Sequence, residues 1–190
     1  MGRIATLLLM LAAAAGAEEP RRELRVSLGG SANPIGIQNT LDLSWRWRLN
    51  ASEQPLLKDA HFSLGVTSNL SPAYERVGGW LELSPLSILD LRLGVEPVVY
   101  FGTFGALVGY PAYSADFSKK VRDATKDRGV AGTGGRVYAA PTLKLKAGSL
   151  IAVTGAEFEW WEVDAPGAFF YEPSQPPAPN VLVDRNPVPA

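Results

Sequence analysis

The chain has 190 residues, no cysteine, and 18 basic against 19 acidic side chains, which gives a formal net charge of −1. The missing basic excess argues against a nucleic-acid-binding protein, and the absence of cysteine excludes a disulfide framework. The length is that of one domain. Hydrophobic residues make up 46% of the sequence.

The first 17 residues have the pattern of a secretory signal peptide. Arg3 precedes an apolar run from Ile4 to Ala15, and the small residues Gly16 and Ala17 follow. This order predicts export, with cleavage after Ala17. The run is shorter than the ~20 residues of a membrane-spanning helix, and no other long apolar stretch follows it.

Seven segments with alternating apolar and polar residues follow, which is typical of β-strands with one apolar face. The clearest is TLDLSWRWRLN at 40–50, where Leu43, Trp45 and Trp47 alternate with polar or charged residues. The seven predicted strands lie at 24–32, 37–49, 60–70, 75–84, 88–101, 134–147 and 150–163.

The connections between these segments differ in length. Asn33–Gly36 predicts a turn, Pro85–Ser87 predicts a tight turn, and Gly148-Ser149 predicts a two-residue hairpin turn with glycine first. The stretch 102–133 is predicted to be a long solvated loop, and a short surface helix in its charged part, KKVRDATKDRG, is the alternative. The proline-rich tail, residues 164–190, is predicted to be irregular.

The Gly148-Ser149 turn also predicts the register of the last hairpin. It pairs Ala147 with Leu150, and the same register continues along both strands as Lys144 with Val153, Ala140 with Glu157, Tyr138 with Glu159, and Arg136 with Trp161. Arg136 then shares a face with Glu157 and Glu159, whereas Phe158 and Trp160 lie on the apolar face.

The apolar faces of these strands have two possible neighbours, a protein core or lipid. In the lipid case the opposite faces line a lumen, and its predicted charges are Asp90, Arg92, Glu96, Arg136, Lys144, Lys146, Glu157 and Glu159. Aromatic residues near strand ends suit the girdles of a membrane barrel, although they also pack well in a soluble core. They are Trp45, Trp47, Tyr100, Phe101, Phe158 and Trp160.

Loop lengths add an argument that does not depend on hydropathy. Outer-membrane barrels alternate short periplasmic turns with longer external loops. With the N-terminus in the periplasm, the turns Pro85–Ser87 and Gly148-Ser149 fall on the periplasmic side, and the loop 102–133 falls outside. The linker 50–59 fits this alternation less well.

The signal peptide, together with LSPLSILDLRLGVEPVVYFGTFG and LKLKAGSLIAVTGAEFEWWEV, resembles Gram-negative outer-membrane β-barrel proteins. The resemblance covers most of 24–163 and rests on architecture, without a diagnostic motif. It implies an all-β, antiparallel up-and-down transmembrane β-barrel in the cell outer membrane, with membrane lipid and the barrel-assembly machinery as partners.

The chain departs from that pattern in two ways. It ends VDRNPVPA, without a terminal aromatic residue, and its strand number is odd. We therefore expect an incomplete, N-terminal part of a larger barrel, rather than an eighth strand near Val181–Asp184, because four residues are too few to span and prolines block their extension.

Residues for catalysis or cofactor binding are scarce. His61, the single histidine, lies two residues from Ser63 on the same face. We interpret His61 as a polar residue of the lumen or rim. Glu157 and Glu159 are interpreted as one face of a charge ladder. The sequence predicts no catalytic, cofactor-binding or metal-binding residue and no enzyme activity. It predicts an outer-membrane barrel with a channel, uptake or structural role, or alternatively a soluble exported lipocalin-like barrel for a small apolar ligand.

Overall fold

The computed structural model describes residues 19–32, 35–112, 114–116, 118–165, 167, 169–171 and 182–184. The predicted signal peptide and most of the predicted tail lie outside these residues. The strands are β1 Arg21–Ala32, β2 Ile35–Arg48, β3 His61–Leu70, β4 Tyr74–Leu86, β5 Leu89–Phe101, β6 Gly109–Tyr110, β7 Ala131–Ala147, β8 Leu150–Gly155, β9 Phe158–Val163, β10 Phe169–Tyr171 and β11 Leu182–Asp184.

The main sheet is an antiparallel meander with the order β1-β2-β3-β4-β5-β7-β8, and β9 continues from β8 along the same edge of β7. The sheet curls into a half-barrel. The prediction of an all-β antiparallel fold is therefore confirmed. The predicted seventh strand, 150–163, is two strands, since the ladder is interrupted at 156–157.

The predicted register of the last hairpin is confirmed. Ala147 pairs with Leu150 and Lys144 with Val153, and beyond the interruption Tyr138 pairs with Glu159. Glu157 itself lies in the interruption, so its predicted pairing with Ala140 is not part of the ladder. The two-residue turn fixes this register because it also places the apolar residues of both strands on one face.

The predicted turn at Pro85–Ser87 is wrong by about two residues. β4 continues through Pro85 to Leu86, and the turn consists of Ser87 and Ile88. The register shifts between Leu83 and Leu86, which marks a bulge. A bulge leaves one residue without a ladder partner, and this is a position in a strand that tolerates proline.

The prediction that 102–133 is a solvated loop is wrong in several places. The segment contains β6 and a short helix α1, Lys119–Thr125, followed by a single 3-10 turn, Lys126–Arg128. β7 begins at Ala131, three residues before the predicted start. Strands β6, β10 and β11 form a second, three-stranded sheet, so the predicted tail is not wholly irregular, and Leu182–Asp184 does not extend the main sheet.

The two faces of the main sheet differ sharply in burial. Along β5, Leu91, Leu93 and Val95 are exposed, whereas Glu96 is 3% exposed. Side chains on the buried face also reach across strands that are not neighbours, as when Trp80 Nε1 of β4 donates to Asp42 of β2 at 2.9 Å. Such contacts need a concave surface, so we call the buried face the inner face and the apolar face the outer face.

The buried apolar core lies on the inner face near one end of the half-barrel. We call it the rim cluster, and it comprises Tyr74, Val98, Tyr100, Ala106, Leu107, Trp161, Val163, Ala165 and Phe170. Tyr100 is 1% exposed within this cluster. Its predicted place in an outward aromatic girdle is therefore wrong, while Phe101, Phe158 and Trp160 do face outward and are exposed.

Candidate functional site

The inner face carries a network of charged side chains centred on Glu96. A carboxylate oxygen of Glu96 lies 2.9 Å from Arg136 and 2.7 Å from Nε of Arg76, the latter as an ion pair without hydrogen-bond alignment. Arg136 also contacts Glu157 at 2.8 Å and Glu159. A buried carboxylate is tolerated because two guanidinium groups compensate its charge.

This network connects four strands that the meander brings side by side, β4, β5, β7 and β9. Arg136 lies directly opposite Glu96 in the β5–β7 ladder and opposite Trp161 in the β7–β9 ladder. The indole Nε1 of Trp161 in turn donates to Glu159 at 3.0 Å. The sequence predicts the contacts of Arg136 with Glu157 and Glu159, but not the central place of Glu96.

A second polar cluster surrounds His61 toward the other end of the sheet. Its Nε2 lies 3.2 Å from a carboxylate oxygen of Glu82 and 3.2 Å from Oγ of Ser84, and its Nδ1 lies 2.8 Å from the carbonyl oxygen of Asp59. Ser84 donates to Asp90 at 2.6 Å, and Lys144 pairs with Asp90 at 2.6 Å. Every member is therefore held by neighbours on other segments.

The structure does not join His61 to Ser63 by a hydrogen bond. Ser63 is 1% exposed, and its Oγ has no hydrogen-bond partner among the described residues. The serine beside His61 is Ser84, directly opposite it in the β3–β4 ladder. Because the Ser84 hydroxyl donates to Asp90, the imidazole does not receive its proton, and the arrangement is that of a structural hydrogen-bond cluster. Ser84 was not predictable from the sequence, because only the register of β3 with β4 places it beside His61.

Aromatic rings cover two glycines on the inner face. A methyl group added at Gly65 would overlap the indole of Trp80, and one at Gly94 would overlap the ring of Tyr138. Arg92 stacks on Trp80 with 3.7 Å between its guanidinium carbon and the ring centre. The inner face is therefore filled at mid-height by these rings, and there is no free space above Gly94.

An open cleft of about 870 Å³ lies on the inner face below the rings, at the end of the sheet where β2 leads into β3. Its charged lining includes both signs: Glu19, Arg21, Arg46, Arg48, Glu53, Lys58, Asp59, Glu82, Asp90 and Lys144. Arg21 and Arg46 lie directly opposite each other in the β1–β2 ladder. The cleft suits a polar ligand or water better than an apolar ligand.

Comparison of the chain with protein-family models, with curated proteins and with solved structures finds no match. Within the part of the chain that the structure describes, no helix is long and apolar enough to cross a membrane.

Proposed function

We propose that the chain is an integral outer-membrane β-barrel protein with a channel, uptake or structural role, and that its main sheet is a stretch of the barrel wall. The observation that supports this most strongly is the inverted distribution of side chains. Glu96 is 3% exposed on the inner face, whereas its neighbour Val95 is 55% exposed and Leu93 is 48% exposed on the outer face.

The exposed apolar residues form one continuous outer surface. Every strand of the main sheet contributes to it, with members that include Leu24, Val26, Leu28, Leu41, Leu64, Val66, Val77, Leu91, Leu93, Val95, Val137, Leu143, Leu145, Leu150, Phe158 and Trp160. Soluble monomers rarely expose apolar patches of this extent. A lipid-facing surface is apolar by necessity, and polar residues then point into the barrel.

The lipocalin-like alternative requires the opposite arrangement, with an apolar interior that holds the ligand. The described inner face is lined by ion pairs around Glu96 and His61, and its apolar part, the rim cluster, is filled by its own side chains. The geometry therefore favours the membrane proposal over a soluble carrier of an apolar ligand.

A β-sheet in lipid cannot keep unpaired edge strands, because their backbone N–H and C=O groups have no water with which to form hydrogen bonds. Within the described ranges, β1 has a partner only in β2, and β8 and β9 only in β7. The proposal therefore includes further strands. β1 and β9 run in the same direction, since six antiparallel steps separate their positions, so closure by antiparallel pairing needs an odd number of further strands.

The test compares one arginine substitution on each face. In phospholipid vesicles, Leu93→Arg should lower the free energy of unfolding by about 2–4 kcal/mol, because it places a charge in mid-bilayer lipid. Ser27→Arg, on the inner side of β1, should change it little. Urea titration of the vesicle-reconstituted protein measures both. If the outer face meets water, Leu93→Arg changes an already exposed position by less than about 0.5 kcal/mol, and the proposal fails.

A further inference from the structure

A hollow of about 500 Å³ lies at the end of the sheet where β5 ends and β7 begins. Its lining comes from two short segments that pack together, Gly102–Gly105 and the 3-10 turn, and consists of Gly102, Thr103, Phe104, Gly105, Lys126 and Asp127. Phe104 stands at its side with 78% of its surface exposed. An aromatic ring this exposed contributes little to the packing of the described residues.

The backbone around Phe104 is held in an uncommon conformation. Phe104 and Leu107 both have φ of 57°, and Gly102 and Gly105 have φ of 70° and 73°. A left-handed conformation is unfavourable for a side chain such as leucine or phenylalanine, and it persists only where the surroundings enforce it. Leu107, which is 0% exposed in the rim cluster, provides that anchor, so the loop presents Phe104 in a fixed position.

The segment on the other side of the hollow is basic. Between 116 and 128 the chain has five basic and three acidic residues, namely Lys119, Lys120, Arg122, Lys126 and Arg128 against Asp116, Asp123 and Asp127. The backbone amide of Ser118 donates to Asp116 at 2.8 Å and lowers the pKa of that carboxyl, so Asp116 keeps its negative charge and the segment as a whole has a net charge of +2. Lys120, Lys126 and Arg128 are exposed and form no ion pair with a described carboxylate.

The hollow also borders the apolar outer face. Phe101, the last residue of β5, faces outward and is 41% exposed, and Val130, just before β7, is 39% exposed. If the outer face meets hydrocarbon, this end of the sheet lies at the level of the lipid headgroups. Aromatic rings and basic side chains are the residues favoured at that depth, where the lipid phosphates lie.

We propose that this hollow binds the phosphate group of an anionic membrane lipid. Lys126, which lines the hollow, contacts the phosphate, and the exposed Arg128 of the same 3-10 turn adds a second positive charge beside it. Phe104 lies against the lipid just below the phosphate. This inference rests on the proposed membrane location of the chain. It adds a binding site at the rim that is separate from the ion pairs of the inner face.

The test uses the full chain in a neutral detergent, titrated with phosphatidylglycerol and followed by native mass spectrometry. Combined Lys126→Glu and Arg128→Glu substitutions should weaken binding at least about tenfold, since each basic residue near a membrane surface contributes to anionic-lipid affinity. Phe104→Asn should weaken it several-fold while keeping the left-handed backbone, which asparagine tolerates. The control, Arg22→Glu with Lys146→Glu, makes the same charge change at two exposed positions at the opposite end of the sheet and should bind as the unsubstituted chain does.

Equal losses in the control would show that binding is non-specific and would overturn the site. Inorganic phosphate that competes as strongly as the lipid would identify a site for free phosphate and would overturn the lipid assignment. Zwitterionic phosphatidylcholine should bind more weakly than phosphatidylglycerol, and equal binding would remove the role of charge. A variant that inserts into vesicles normally but binds phosphatidylglycerol as well as the unsubstituted chain would sink this site without touching the proposed membrane function.

Discussion

Gly94 shows how single residues shape the inner face. It lies directly opposite Tyr138 in the β5–β7 ladder and beside Trp80 in the β4–β5 ladder, and the tyrosine ring occupies the space above it. Glycine in a strand often marks a close approach of this kind, because any side chain would displace the covering ring. The alternation of the sequence predicts that Gly94 faces inward, but only the neighbouring strand shows that the space is already filled.

We expect Gly94→Ala to destabilise the protein by about 1–3 kcal/mol, because the added methyl group forces Tyr138 out of a packed position. The matched control is Gly79→Ala, also within a central strand, where the nearest atom to an added methyl group is 3.8 Å away. Urea unfolding midpoints compare the two variants. Equal shifts of the unfolding midpoint would mean that the Tyr138 ring moves away freely and that its packing over Gly94 does not contribute to stability.

Among the elements, the two edge strands are unlike the strands between them. β8 is exposed along its whole length and is apolar on both faces, with Leu150 on the outer side and Ile151 and Val153 on the inner side. Strands that are apolar on both faces are usually covered on both. β1 is longer, and its inner side carries Glu23 and Arg25, which pair with each other at 2.8 Å at the exposed edge.

Amide hydrogen exchange should reveal whether these edges are paired in lipid. In an antiparallel edge strand every second amide points away from its one neighbour, so an open edge gives alternating fast and slow exchange. If the wall is closed, the amides of β1 in vesicles should all exchange as slowly as those of β4. Alternation in β1, with β4 fully protected, would contradict a closed wall.

The strands and one hairpin were predictable from the sequence, because their signals are local. The period of two identifies the strands of the main sheet, although not the interruption between β8 and β9, and the Gly148-Ser149 turn fixes a register that runs from Ala147 to Gly134. The second sheet was not predictable, since β6 has only two residues and pairs with β10 across a long stretch of chain. The contacts of Glu96 and Ser84 also depend on the pairing of whole strands, which no local pattern contains.

At the scale of the whole molecule, the connections differ between the two ends of the sheet. One end carries 71–73 and the long connection 102–130, and the other carries 49–60 and the two-residue turns at 87–88 and 148–149. The 49–60 linker is folded back, with the amide of Ser87 donating to the carbonyl of Leu56 at 2.8 Å. The long connection 102–130 and the two two-residue turns match the long external loops and short periplasmic turns of bacterial barrels, whereas the short connection 71–73 and the longer linker 49–60 do not.

We therefore expect trypsin added to intact cells to cut the chain between Lys120 and Arg128. This segment is exposed and belongs to the longest connection. The internal control is Lys58 in the 49–60 linker at the opposite end, which should be cut only after the outer membrane is opened. Cleavage at Lys58 in intact cells, with 120–128 protected, would reverse the orientation.

The rim cluster helps to hold the β7–β9 hairpin against β5. β5 and β7 are joined by the connection 102–130, and closing a loop of that length costs about 2 kcal/mol more than closing a two-residue turn. The cluster brings Tyr100 of β5, Leu107 of the connection and Trp161 of β9 into one packed group. Because these side chains pack together, the β7–β9 hairpin is kept close to β5, which raises its effective concentration there and offsets part of the entropic cost of closing the loop. The β5–β7 ladder is thus held by apolar side chains at the rim as well as by its own hydrogen bonds.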